Sequence, residues 1–287
     1  MLKQRIITAI VLLAVLLGAL WAPGPWPIVL LFTIIAACAL WEWLRLTLPG
    51  GGSQLPVALA VLTSVILLVV ARQWLSSESA PWSLHSQSLL NRWLIPGMAA
   101  VWVVAATSLV VQGQTKVRTH GAWLSMFGVL AVLAVWAALV QLFLAYGAWF
   151  LVSLLALIWF ADIAAYFTGK ALGKHKLAPR ISPGKTWEGA IGGVVAATVW
   201  VWASTFWPGS FGAVLSQRWP WWGVLLIAVF LAAMSIIGDL FESLLKRRAA
   251  VKDSSHLLPG HGGVYDRIDA LLPVAPLAFL LVEVLPR

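Results

Sequence analysis

The chain has 287 residues, of which 61% are hydrophobic, only 10% are charged and 19 are Trp. A water-soluble domain of this length could not hide so much apolar surface behind so few charges, so a soluble enzyme or binding module is excluded. The formal net charge of +9 then calls for an explanation at a bilayer rather than in nucleic acid, which is not expected as a partner.

Lipid offers the backbone no hydrogen-bond partners, so a span must be a helix of about 20 mostly apolar residues. In chain order the candidates run roughly 6–21, 27–46, 56–72, 93–112, 121–144, 148–168, 189–207, 221–239 and 270–285. The fold expected is therefore all-α, a polytopic membrane protein of about nine transmembrane helices. Residues 1–145 form its N-terminal helices. Residues 146–287 are expected to form a C-terminal region with cytoplasmic loops at 169–188 and 240–269, so that any active region is expected at the cytoplasmic face of this C-terminal half.

The first candidate could be misread as a secretory signal, because Lys3 and Arg5 precede its apolar run. The run ends in Trp21-Ala22-Pro23-Gly24-Pro25, a poor small-residue cleavage site, so a retained helix is expected. Cys38 is the single cysteine, inside the second candidate, and reads as an inert buried thiol.

Loop charges set the orientation. With the N-terminus in the cytoplasm, that side carries Lys3, Arg5, Arg45, Lys116, Arg118, Lys170, Lys174, Lys176, Arg180, Lys185, Lys246, Arg247, Arg248, Lys252 and Arg267. The other side keeps only Arg72, Arg92, Arg218 and Arg287. The location expected is a bacterial-type inner membrane. Trp21, Trp26, Trp43, Trp74, Trp93, Trp123, Trp149, Trp187, Trp219, Trp221 and Trp222 fall near span ends and read as an aromatic belt.

The acids cluster differently. Asp162, Glu188, Asp239, Glu242, Asp253, Asp266 and Asp269 lie in the second half, in or beside the two large basic segments. Only Glu42, Glu78 and Glu283 lie elsewhere. An acid at a helix centre in lipid costs about 2.5 kcal/mol or more, so Asp162 inside the sixth candidate needs a reason. If the stretch after Asp239 is helical, Asp239, Glu242, Ser243 and Lys246 share one face. Pro259-Gly260-His261-Gly262-Gly263 cannot be helix interior, and its glycines let backbone N–H groups approach an anion. Asp266 and Asp269, three apart, point the same way. Carboxylates beside several cationic side chains are what a metal–phosphate site requires. The plain alternative is an orienting basic loop with incidental acids.

Gly184-Lys185-Thr186 has the ending of a phosphate-binding P-loop, but the first glycine of that pattern would fall at Pro179, so the motif fails. A Ser/Pro/Gly turn leading to the N-terminus of the seventh helix could still hold a phosphate.

The run from Ser243 to Asp269 resembles the signature of the phosphatidate cytidylyltransferases. Its defined positions are Ser243, Lys246, Arg247, Lys252, Asp253, Pro259, His261, Gly262, Gly263, Asp266, Arg267 and Asp269. The stretches Asp162–Phe167, Gly173–Leu177 and Ser182–Gly189 look like the other half of that family's active region, although Ile163-Ala164 stands where many members have Thr-Gly. The resemblance is confined to roughly residues 160–275.

That resemblance implies the reaction of CTP with phosphatidic acid to give CDP-diacylglycerol and pyrophosphate with Mg²⁺, a second cation being left open. By it Asp266, Asp239 and Lys246 are catalytic, and Asp239, Asp266 and Asp269 hold metal. Lys246, Arg247 and Lys252 take the triphosphate, and Ser182 and Lys185 the lipid phosphate, the two pairings being interchangeable. Ser243, His261, Gly262, Gly263 and Arg267 belong with the substrate contacts, and Asp162 and Glu188 are further candidates. His261 reads equally as a turn histidine. The partners implied are CTP, phosphatidic acid and the lipid bilayer, with a homodimer left open. A cation transporter or a CTP-using prenol enzyme is the alternative.

Overall fold

A computed structural model describes residues 2–48, 54–76, 81–117, 121–260 and 262–284. Five helices are long and apolar enough to cross a membrane: Trp26–Thr47, Leu55–Leu75, Leu84–Gln112, Ala122–Leu172 and Trp221–Arg248. Ile7–Trp21 and Leu271–Glu283 are shorter apolar helices. Val61, Leu62, Val65, Val104, Ile163, Val195, Val199 and Leu226 stand exposed on these and neighbouring helices. Water would not tolerate those stripes, whereas lipid is their natural solvent. The protein is an all-α chain of the multi-pass membrane type.

Contacts divide the chain into two compact units that interleave along the sequence. The first comprises Met1–Met98, Lys116–Val140 and Leu245–Ile268. It contains α1 (Leu2–Trp21), α2 (Trp26–Thr47), α3 (Leu55–Leu75), α4 (Pro81–Leu89), the opening stretch of a long helix beginning at Ala122, and the short α11 (Tyr265–Ile268). Its core forms around α2, where Ile28, Val29, Leu40, Trp43 and Leu44 are buried with Trp136, Ala134 and Ala138. Buried indoles need a partner for N–H. Trp43 donates to the Leu124 carbonyl at 2.8 Å, and Trp136 donates to Thr33 Oγ1 at 3.0 Å. Trp43 is thus a core residue rather than a member of an interfacial belt: its ring is fully buried, tilted on Tyr265 and edge-on to Phe127. Trp21, Trp93, Trp123, Trp221 and Trp222 do stand exposed, as the belt reading expects.

The second unit comprises Ala99–Thr115, Gln141–Leu244 and Asp269–Arg287. Its elements are α5 (Ile95–Val101, in part), α6 (Thr107–Gln112), the later part of α7 (Ala122–Leu172), a β-hairpin, α8 (Trp187–Ser204), α9 (Phe211–Arg218), most of α10 (Trp221–Arg248) and α12 (Leu271–Phe279). Gly147 breaks α7 with φ 81° and ψ −172°, between the fifth and sixth candidate spans. Only glycine adopts that conformation without penalty, so the single 51-residue helix is two helices joined at a hinge.

The C-terminal half of α7 packs closely on α8. A methyl group at Gly189 would meet the Ala165 carbonyl oxygen at 2.8 Å, and one at Gly193 would meet that of Ala161 at 2.7 Å. Small residues four apart let helix backbones touch, which is how helices associate where apolar burial gives no advantage.

An all-α reading does not anticipate the hairpin. β1 (Lys176–Ala178) pairs antiparallel with β2 (Ser182–Thr186), where the sequence suggests a simple Ser/Pro/Gly turn. Pro183 and Gly184 sit in the second strand of this two-stranded ribbon, where a missing donor is tolerated. Thr186 ends the ribbon and caps α8, its Oγ1 accepting from Gly189 N at 3.1 Å.

Candidate active site

In the second unit, oxygens of Asp239, Glu242 and Asp269 lie within 4.8 Å of one another. Two come from α10 by their three-residue spacing. The third comes from the residue pair ahead of α12, and Gly238 is what lets it approach. A methyl group at Gly238 would meet the Asp269 carbonyl oxygen at 2.4 Å and Ala270 Cα at 3.0 Å. Backbone therefore packs on backbone there, and the acids on both sides converge. Glu242 is buried, while Lys185 of β2 forms an ion pair with Asp239.

Dense surroundings, then the Asp239 carboxylate, push the Asp269 carboxyl well above the usual carboxylate range. The Ala270 N–H and Lys185 pull it back, and Asp162 pushes it further up. Asp162 therefore contributes its charge to the same region. Three carboxylates on hard oxygens suit a hard divalent cation such as Mg²⁺, and the donor set fits the metal that the sequence implied. Ser182 is half-buried on β2, and Ser243 is half-buried one turn beyond Asp239.

Glu188 opens α8 and turns back onto the hairpin. Its carboxylate accepts from the His175 backbone N–H at 3.3 Å and pairs with His175 Nδ1 at 2.6 Å. Hydrogen bonding lowers its carboxyl to about 2: the backbone N–H of its own residue contributes most, then the His175 side chain, then the N–H groups of Lys174 and His175. It fixes the base of the hairpin that carries Lys185.

In the first unit, the signature segment is organised around two carboxylates. Asp266 Oδ1 pairs with Lys246 Nζ at 2.6 Å. Its Oδ2 accepts from Gly263 N at 2.7 Å, Ser254 N at 3.1 Å and Ser254 Oγ at 3.0 Å. Among the described residues the convergent acidic group contains Glu242 and not Asp266. Asp266 holds the glycine turn and pairs with Lys246.

The second carboxylate is Glu42 of α2, which sequence reasoning passed over. It is fully buried, and both oxygens face the signature segment. Oε1 accepts from Ser255 Oγ at 2.6 Å and Val264 N at 2.9 Å. Oε2 accepts from Ser254 Oγ at 2.9 Å and Tyr265 N at 2.6 Å. Hydrogen bonds to a charged group contribute about 1.5–3 kcal/mol each. Four of them outweigh the roughly 2.5–3.5 kcal/mol that an acid costs inside a membrane helix. The signal available in the sequence was that cost alone: Glu42 stands inside an apolar run. Gly263 is required by the same packing, since a methyl group there would lie 2.0 Å from Ser254 Oγ and 2.5 Å from Glu42 Oε2.

Arg247, Lys252 and Arg267 are exposed, and Gly262 takes a positive φ of 80° in the turn. His261 lies outside the described residues.

The cytidylyltransferase family model matches residues 3–285. The phosphatidate cytidylyltransferase of Pseudomonas aeruginosa is 40% identical over 96% of this chain and 95% of its own. Those of Haemophilus influenzae and Bacillus subtilis are 35% and 33% identical, over 96% and 98% of this chain and 96% and 97% of their own. With the match extending through the N-terminal helices as well as the acidic group and the signature segment, the chain belongs to the cytidylyltransferase family.

Proposed function

We propose that this protein is a phosphatidate cytidylyltransferase, joining CTP and phosphatidate into CDP-diacylglycerol with release of pyrophosphate. The observation that carries this reading is the convergence of Asp239, Glu242 and Asp269 beside Lys185, in a chain whose relatives bear that name. A phosphate oxygen of the lipid attacks the α-phosphorus of CTP; the bond to the β-phosphate oxygen breaks and pyrophosphate leaves. The attacking oxygen is already anionic near neutral pH, so no strong base is needed. The difficulty is bringing one polyanion to another, and catalysis is positioning and charge neutralisation.

Asp239, Glu242 and Asp269 would hold Mg²⁺, which when bound neutralises phosphate oxygens and polarises the phosphorus under attack. Lys185 balances Asp239 until a phosphate takes its charge. Lys246, held by Asp266, offers its ammonium to phosphate oxygens, as do Arg247 and Lys252.

An apolar cavity of about 900 Å³ supports a lipid substrate. Val110, Ile191, Phe230 and Ile237 line it, together with Pro179 and Arg180 of the hairpin. Acyl chains suit the apolar lining, and Arg180 suits a phosphate head.

The arrangement in the membrane follows from the charge distribution. Nine spans with the N-terminus and the reaction in the cytoplasm put the Lys/Arg-rich segments on the inside of a bacterial-type inner membrane. Purified protein given labelled CTP and phosphatidate tests the activity. Label should move into a lipid-extractable nucleotide only when both substrates and Mg²⁺ are present, and a water-soluble product alone would contradict it.

A further inference from the structure

We infer that Glu42, on the second helix of the chain, is a positioning residue for the reaction: its buried carboxylate sets the shape of the segment that presents Asp266 and Lys246. The inference rests on the cytidylyltransferase reading of that segment, and its residues all belong to the first unit.

Glu42 grips the segment at two places. Ser254 and Ser255 stand before the Pro259–Gly263 turn, and Val264 and Tyr265 stand after it. One side chain thus ties together both ends of the turn, across more than two hundred residues of sequence. Ser254 extends the grip to Asp266: its hydroxyl lies 2.9 Å from Glu42 Oε2 and 3.0 Å from Asp266 Oδ2, and its N–H donates to the same Asp266 oxygen. A hydroxyl has one proton, so it serves one carboxylate at a time and links the positions of both. Asp266 in turn holds Lys246. The chain of contacts runs Glu42, Ser254, Asp266, Lys246.

Four donors converge on two oxygens, which a carboxylate alone can satisfy. Glutamine offers one accepting oxygen and sets an NH₂ group against two of those donors. Glu42→Gln therefore keeps the volume and removes the grip. Partners that orient the ligands of a metal site commonly cost about 10–100-fold in affinity or activity when removed, and a comparable loss is expected for the partner that orients Asp266 and Lys246.

The test uses full-length purified protein in lipid nanodiscs. CTP turnover with phosphatidate is measured for wild type, Glu42→Gln, Lys246→Ala and the double variant, with amide hydrogen exchange read across the chain. Glu42→Gln should lower kcat/KM for CTP by about 10–100-fold, and exchange should rise at Val264, Tyr265 and their neighbours while the helices keep their protection. The double variant should be hardly worse than Lys246→Ala, because the two act in series. Should Glu42→Gln not fold, the Ser254→Ala/Ser255→Ala double variant removes two of the donors and should show the same local exchange with a smaller kinetic loss. Normal kinetics in a folded variant with a loosened segment would overturn the inference, as would additive losses in the double variant or a general loss of protection. Inactive wild-type protein would instead sink the reading of the reaction, and the inference with it.

Discussion

The ammonium of Lys246 lies 2.6 Å from Asp266 Oδ1, with 16% of the lysine side chain and 6% of the aspartate side chain exposed. This pair joins the end of α10 to α11 and gives the signature segment its internal order. Asp266 accepts there from Lys246, from Gly263 N–H and from the N–H and hydroxyl of Ser254.

Asp266→Asn should therefore cost stability as well as activity. The amide would set N–H groups against Lys246 or the Gly263 and Ser254 donors, and stranding one member of a buried pair costs on the order of 3 kcal/mol. Thermal unfolding and CTP turnover, measured on the same preparation, should fall together. A variant that keeps wild-type stability while losing activity would place Asp266 at a substrate or metal rather than at Lys246.

The acidic group should behave differently. Asp239→Asn, Glu242→Gln and Asp269→Asn are each expected to lower turnover by orders of magnitude with little recovery at high Mg²⁺. Any two together should be hardly worse than one, since ligands of one ion act as a unit. A Mg²⁺ titration of the singles and doubles checks this, and losses that multiply would count against a shared cation.

Gly238→Ala tests how the acids are brought together. Its methyl would fall 2.4 Å from the Asp269 carbonyl oxygen, so the backbone must move, at a cost of about 1–3 kcal/mol. A lowered unfolding temperature and weaker Mg²⁺ response are expected. An unaffected melt would mean that the approach of the two backbones is looser than a 2.4 Å contact implies.

Acid should loosen the hairpin only at low pH. Glu188 is lowered to about 2, below the ordinary value of 4.5 for a free glutamate. A depressed carboxyl contributes stability that is fully present above the unfolded value and is lost as pH falls through the folded one. Protection of the hairpin amides should thus decline between about pH 4.5 and 2 in the wild type. In Glu188→Gln it should be lower throughout and flat over that window; a matching decline in the variant would assign the effect elsewhere.

Much of the site was legible because its spacing is local. Asp239, Glu242 and Lys246 follow from helical periodicity, and the glycine turn follows from residues that cannot continue a helix. The break at Gly147 also fell between two apolar runs. The features that escaped depend on distant partners. Glu42 meets residues 212 to 223 positions away, and no pattern within α2 reveals them. Trp43 looked like an interfacial residue for the same reason, although Leu124, Phe127 and Tyr265 enclose it. The hairpin escaped because β2 is short and holds Pro183 and Gly184, which weigh against a strand until β1 is paired with it. The metal role that the family resemblance implies for Asp266 concerns a bound ion, whereas its contacts with Lys246, Ser254 and Gly263 depend on chain folding that its three-residue interval to Asp269 cannot show.

Orientation can be tested apart from chemistry. In a Cys38→Ala background, single cysteines at Ser83 and at Lys116 should label from opposite sides of the membrane, Lys116 from the cytoplasm. Labelling of both from the outer side would overturn the nine-span, N-inside arrangement.

Pyrophosphate release from purified wild-type protein decides whether it joins CTP to phosphatidate. Release should require CTP, phosphatidate and Mg²⁺ together, should match CDP-diacylglycerol formed mole for mole, and should not occur when a polyprenol replaces phosphatidate. Release with the polyprenol, or Mg²⁺ uptake into vesicles without any CTP turnover, would contradict the account.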